Sequence, residues 1–157
     1  MIETLMAAVI MAIGIVALVV AARSDTQVNA AGRELTQAVF LAQQLREWTL
    51  TLPFSDPDPQ DQGNPPGSDE GDPHTFVDDL DDLMDVTFSP PRDATGAALA
   101  DMQDWSQQVT IEWKDPDCLT TTVEAGSSDV ARVLVVVAHH GRCVWETGWL
   151  VARRESQ

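Results

Sequence analysis

From Leu5 to Ala22 the chain carries no charged and no strongly polar side chain. Such a run of about 18 residues, at about 1.5 Å rise each, has the lower length for crossing a hydrocarbon core roughly 30 Å thick. A helix apolar on every side needs lipid or other apolar helices around it. One carboxylate, Glu3, stands at the start of the run. An ionised side chain at membrane depth costs about 2.5–3.5 kcal/mol, which marks Glu3 as a functional candidate. The other reading is a side chain that reaches the headgroups from the helix end. The physics alone leaves both open.

The segment Ile2-Glu3-Thr4-Leu5-Met6-Ala7-Ala8-Val9-Ile10-Met11-Ala12-Ile13-Gly14 closely resembles the N-terminal segment of type IV pilins and type II secretion pseudopilins. Its Ala-Ile-Gly ending is most similar to the minor-pilin branch. The likeness is strong through Ala22 and looser along the helix that follows. In that family a short basic leader ending in Gly is removed by a prepilin peptidase, and the new N-terminal amine is methylated. A glutamate near the mature N-terminus then meets the amine of a neighbouring subunit while the helices bundle into a filament core. The resemblance places that role on Glu3, with Leu5, Ala8, Ala12 and Gly14 in the packing surface. Two departures stand out: no Gly-ended leader precedes the run, and Glu3 is closer to Met1 than the family's spacing allows. The expectation is a sequence that starts inside the mature protein, with altered processing as the alternative.

Helix signals continue past the apolar run. Val28, Leu35, Ala38, Ala42, Leu45, Trp48 and Leu52 recur at intervals of three, four or seven and paint one apolar stripe. No proline occurs before Pro53, where the helix should stop. Residues 1–22 and 23–52 are therefore expected to form one helix, about 75 Å long at 1.5 Å per residue, apolar at first and then amphipathic. Ala7, Ala8, Ala12, Gly14, Ala17, Ala21 and Ala22 are small enough to let neighbouring helices approach closely.

The net charge of −16 is concentrated in residues 53–104. Between Phe54 and Asp104 there are 14 acidic residues and one basic residue, Arg92, a balance of −13. An acidic surface repels phosphate backbones, so nucleic acid is not an expected partner. The Pro-, Gly- and Asp-rich stretch from Pro53 to Pro73 reads as an extended surface loop. Asp78, Asp79, Asp81, Asp82 and Asp85 follow. Such a set could hold a hard cation such as Ca²⁺, though it lacks the EF-hand spacing and Gly. A solvated acidic turn is the expectation, and no cofactor other than this Ca²⁺ candidate is foreseen.

A short helix is expected over residues 97–104, and strands after it. Val109, Ile111 and Trp113 alternate with polar neighbours, and Val133–Ala138 is apolar on both faces. Turns at Lys114–Asp117, Ala125–Asp129 and His139–Arg142 join an antiparallel meander of about four strands over residues 105–157. The helix stripe would cover its apolar face, giving an α+β architecture. Trp113, Trp145 and Trp149 are expected in the core or against the helix. In an exported chain the two cysteines, Cys118 and Cys143, suggest a disulfide worth roughly 2–4 kcal/mol.

No catalytic site is expected. His139 and His140 should point to opposite faces of a strand end and not share a metal. No Gly-x-Ser-x-Gly elbow or phosphate-cradling Gly loop occurs, and no apolar pocket is foreseen that would raise a carboxylate pKa. The reading is a filament subunit held in the inner membrane before assembly and placed at the cell surface afterwards. Its expected partners are copies of itself or related pilins, together with the assembly machinery. The alternatives are a type II secretion pseudopilin and a non-polymerising, single-pass anchored binding protein.

Overall fold

The computed structural model describes residues 2–57, 65–67 and 72–153; residues 58–64 and 68–71 of the expected loop, Met1 and residues 154–157 lie outside the described residues. The first element, α1, is one helix over Ile2–Thr49. Nothing in that span interrupts it, and its end is built from hydroxyls and turns. Leu50 N–H donates to Arg46 O (3.1 Å) and Thr51 N–H to Trp48 O (2.9 Å). The Thr49 and Thr51 hydroxyls donate to the same two carbonyls. Two of the final carbonyls, those of Arg46 and Trp48, are thus partnered before Pro53, which could not continue the ladder.

The chain divides into two compact units, Met1–Gln37 and Ala38–Gln157. The first is helix alone, and its large apolar side chains are exposed, Leu5, Ile10 and Leu18 among them.

The second unit holds the end of α1 and a five-stranded antiparallel sheet. The strands are β1 (Thr87–Phe88), β2 (Trp105–Asp115), β3 (Cys118–Thr122), β4 (Val130–His139) and β5 (Arg142–Ala152), in the order β1-β2-β4-β5, with β3 paired to the far end of β2. Alternation decides the faces. Val109, Ile111 and Trp113 of β2 and Val133, Val135 and Val137 of β4 are buried, and they pack against Ala38, Leu41, Ala42, Leu45 and Trp48 of α1. Leu134 and Val136 on the other face are half-buried, which explains an apolar run with no alternation in its sequence.

One buried amide ties three segments together. Gln107 Nε2 donates to Leu41 O (2.8 Å) and Arg92 O (3.2 Å), while Gln107 Oε1 accepts from Arg92 N–H (2.7 Å). Close by, Gly96 adopts φ +79°, and a Cβ there would stand 2.7 Å from the Trp48 indole. Only glycine allows that approach.

Several expectations need correction. The sheet has five strands, because the short β1 adds an edge that two residues could not announce. Residues 97–104 form turns and one bridge, Arg92 to Ala98, instead of a helix. The apolar stripe is buried only from Ala38 onward, and Val28 is 67% exposed. Trp113 is core, and Trp149 donates its Nε1–H to Thr49 Oγ1 (3.2 Å). Trp145, at 37% exposed, belongs to the surface.

Candidate functional site

Four groups of residues were singled out, and the structure treats each differently. In the N-terminal unit, Glu3, Leu5, Ala8, Ala12 and Gly14 are all exposed on α1. At about 100° per residue, Leu5, Ala8 and Ala12 share one face, while Glu3 and Gly14 fall on the opposite one. Ala7 and Ala21 lie at heptad spacing from Gly14 and join its side. A Cβ built on Gly14 would meet nothing within 4 Å, so the chain's own packing does not require glycine there. Glu3 lies in the first turn, where the positive end of the helix dipole favours a carboxylate. The surface therefore has two sides, each carrying small residues, with the acid on the side of Ala7, Gly14 and Ala21.

The five aspartates separate into two sets. Asp78, Asp79 and Asp82 bring carboxylate oxygens within 4.8 Å of one another. Asp85 is exposed, and Asp81 accepts from Gly67 N–H (2.9 Å). The solvated turn that was expected is wrong for the inner pair, since Asp79 and Asp82 are only 5% and 3% exposed. The reason is local. Leu80 and Leu83 enter the core on the 3-10 turn Asp81–Leu83 and carry their neighbours inward. Asp79 Oδ1 then accepts from Asp81 N–H (3.0 Å) and Asp82 N–H (3.2 Å), and Asp82 Oδ2 from Asp78 N–H (3.0 Å).

Burial, reinforced by the Asp81 carboxyl, pushes Asp79 up to about 8. Burial and the Asp82 charge also raise Asp78. The expectation of no raised carboxylate is thus overturned. A neutral Asp79 stabilises the fold, fully so below the unfolded value of 3.8. That contribution declines as pH rises and is gone above the folded value. Asp79→Asn keeps the accepting oxygen and cannot ionise. Its unfolding midpoint should therefore fall less than the wild type's between about pH 5 and pH 8. Parallel urea titrations at the two pH values measure this, and equal falls would contradict the assignment.

The cysteines do not form the expected bond. Both are free and exposed. Cys118 stands level with Asp115 of β2, while Cys143 pairs with Ala138, which pairs with Ser106. Nine residues of β2 separate those levels, about 30 Å at roughly 3.4 Å per residue, whereas a disulfide needs Cα atoms within about 7 Å. The Thr120 and Thr121 hydroxyls, each 3.3 Å from the Cys118 sulfur, hold that thiol below its ordinary value. The native chain should titrate with two thiols, Cys118 reacting first. A thiol-specific chromophore checks this, and zero reactive thiols without denaturant would contradict it.

The histidines depart from expectation as well. Their rings were to face opposite sides, yet the centroids of His139 and His140 lie 4.2 Å apart. His140 has φ +49° and Gly141 φ +75°; the left-handed backbone cancels the alternation of a strand. Trp105 stacks on His139 at 4.3 Å, and His140 Nδ1 lies 3.5 Å from Asp104 Oδ1.

Comparison with family models, curated proteins and solved structures found no match, so these residues and their geometry are what a functional reading must stand on.

Proposed function

We propose that this chain is a structural subunit of a type IV pilus-like filament, assembling through its N-terminal helix and having no catalytic role. The observation that carries the reading is the apolar half of α1. One helix of 48 residues begins with a span long and apolar enough to cross a membrane, none of it buried within the chain. Such a surface in water is unfavourable by roughly 25 cal/mol per Å² of apolar area. It is satisfied by lipid first and by neighbouring helices later. The two-sided arrangement supports the bundle, because close packing on both faces requires at least two neighbours. Glu3, by the resemblance, pairs with the N-terminal amine of an adjacent subunit, so that neither charge stays alone in a low-dielectric core. The sheet unit and its acidic segment form the outer surface, where adhesion or cation bridging by exposed carboxylates would occur.

Glu3→Ala should leave membrane insertion intact and abolish or misregister assembly. Sheared filaments counted by electron microscopy, beside the membrane-bound pool, provide the readout. Equal filament yield would remove Glu3 from the mechanism. The same apolar span also fits a lone membrane anchor, because lipid covers it as well as sibling helices do. That second reading makes the chain a tethered binding module, monomeric after detergent extraction. A secretion pseudopilus, a short periplasmic relative of the same assembly, would show no filaments outside the cell.

A further inference from the structure

We propose that the free edge of β5 pairs antiparallel with β5 of a second copy of this chain, centred on Thr147. Strand β5 ends the sheet, and among the described residues it pairs with β4 alone. The other edge of its 11 residues presents backbone N–H and C=O groups to no neighbouring strand. Such an edge is a template for another strand, and proteins that avoid the pairing place proline or lysine on it. Strand β5 has neither.

The sequence of β5 says which strand fits. Read outward from Thr147 it is nearly a palindrome: Glu146 and Gly148, Trp145 and Trp149, Val144 and Leu150. Directly opposite residues of an antiparallel pair share a face, with Cβ atoms about 4.5–5.5 Å apart. Centring on Thr147 sets that residue against itself and Trp145 against Trp149 of the second copy, twice by symmetry. Both indoles are on the face that α1 covers, across from Val137 and Val133. Trp145 is 37% exposed in one copy, and the second indole covers it.

The opposite face supplies the charge. Arg132 of β4 stands across from Glu112, but Glu112 is taken by Lys114 at 2.8 Å. Among the described residues the Arg132 guanidinium is left with no hydrogen bond or ion pair. Its side chain leans over Gly148, with Nε 3.4 Å from where a Cβ would stand, so the absence of a side chain there lets the cation reach toward the edge. Glu146 of the second copy lies opposite Gly148 in this register and meets that cation. Neighbouring registers do worse. Faces stay matched only in steps of two residues. One step sets Glu146 against itself; the other carries it past Gly148 to Leu150 and separates the indoles.

Symmetry fixes the polarity of the contact. A two-fold axis perpendicular to the sheet reverses every direction in its plane, including that of the end of α1 packed on it. Copies drawn from one membrane into one filament run the same way. On the filament reading, the contact therefore joins two filaments lying side by side in opposite directions. The pairing itself needs only two sheet units, each giving the same surface to the other.

The test uses the full chain in detergent micelles, carrying Cys118→Ser, Cys143→Ser and Thr147→Cys. Opposed residues have Cα atoms about 4.5–5.5 Å apart, within reach of a disulfide. Oxidation with copper phenanthroline should give a covalent dimer. Gln108→Cys in the same background, exposed on β2, should stay monomeric. Adding Glu146→Lys should lower the dimer yield by roughly tenfold or more, and adding Arg132→Glu to that chain should restore it. Within one copy Glu146 faces Val136, four residues of β4 away from Arg132, or about 14 Å, so restoration reports contact between copies. Glu3→Ala should leave the yield unchanged, which separates this contact from assembly through α1. No dimer, equal dimer from Gln108→Cys, indifference to Glu146→Lys, failure of Arg132→Glu to restore it, or loss of the dimer in Glu3→Ala would each overturn the proposal.

Discussion

Replacing Val16 with arginine is expected to reduce stable insertion of the chain into membranes by roughly 70- to 400-fold. The figure follows from about 2.5–3.5 kcal/mol for a cation at the centre of a spanning helix. Val16 sits inside the run from Leu5 to Ala22 and is exposed on α1, so no contact within the chain compensates the change and none is lost by it. The effect therefore reports on what surrounds the helix from outside. Val28→Arg is the control. Val28 is equally exposed but stands beyond the run, after Arg23 and Asp25, and its replacement should leave insertion nearly unchanged. Alkaline extraction of membranes, followed by quantitation of the retained chain, checks both. Equal retention of Val16→Arg and wild type would mean that the run is not covered by lipid at any stage.

Gln107→Leu is the second large effect, and it acts on the sheet unit. The amide is fully buried and makes three hydrogen bonds to Leu41 and Arg92. Leucine fills similar space and strands the Arg92 backbone groups. Each buried polar group left without a partner costs about 1–3 kcal/mol, so a loss of roughly 3–5 kcal/mol is expected. Gln108, the next residue, is exposed, and Gln108→Leu should stay within about 0.5 kcal/mol of wild type. Urea unfolding of the pair checks this. A Gln107→Leu midpoint matching that of Gln108→Leu would show that the bridge between helix, loop and strand does not hold the unit together.

The parts of this molecule that are legible in the sequence are those governed by period and length. The unbroken α1, the inward set Val109, Ile111 and Trp113, and the apolar β4 all follow from spacing alone. What escaped depends on where strands end and on what the backbone does at a single residue. The register of β2 with β3 and β4, invisible before the strands are paired, sets the two cysteines at opposite ends of the sheet. A left-handed His140 brings together two rings that alternation would separate. Leu80 and Leu83 draw Asp79 and Asp82 into the core, where backbone amides satisfy them. No composition of an acidic stretch reveals that its leucines outweigh its charges. The candidate assembly surface was legible as a set of residues, yet its division into two faces emerged only from the helix geometry.

Whether neighbouring copies lie against the Glu3 side of α1 is most directly measured by cross-linking. In a chain carrying Cys118→Ser and Cys143→Ser, Gly14→Cys places one thiol on the face that also holds Glu3, Ala7 and Ala21. Coupling a photo-cross-linking maleimide to that thiol and irradiating intact cells should join it covalently to a second copy, and adding Glu3→Ala to the same chain should abolish the product. A chain that stays monomeric after irradiation, while remaining in the membrane, would contradict assembly through this helix.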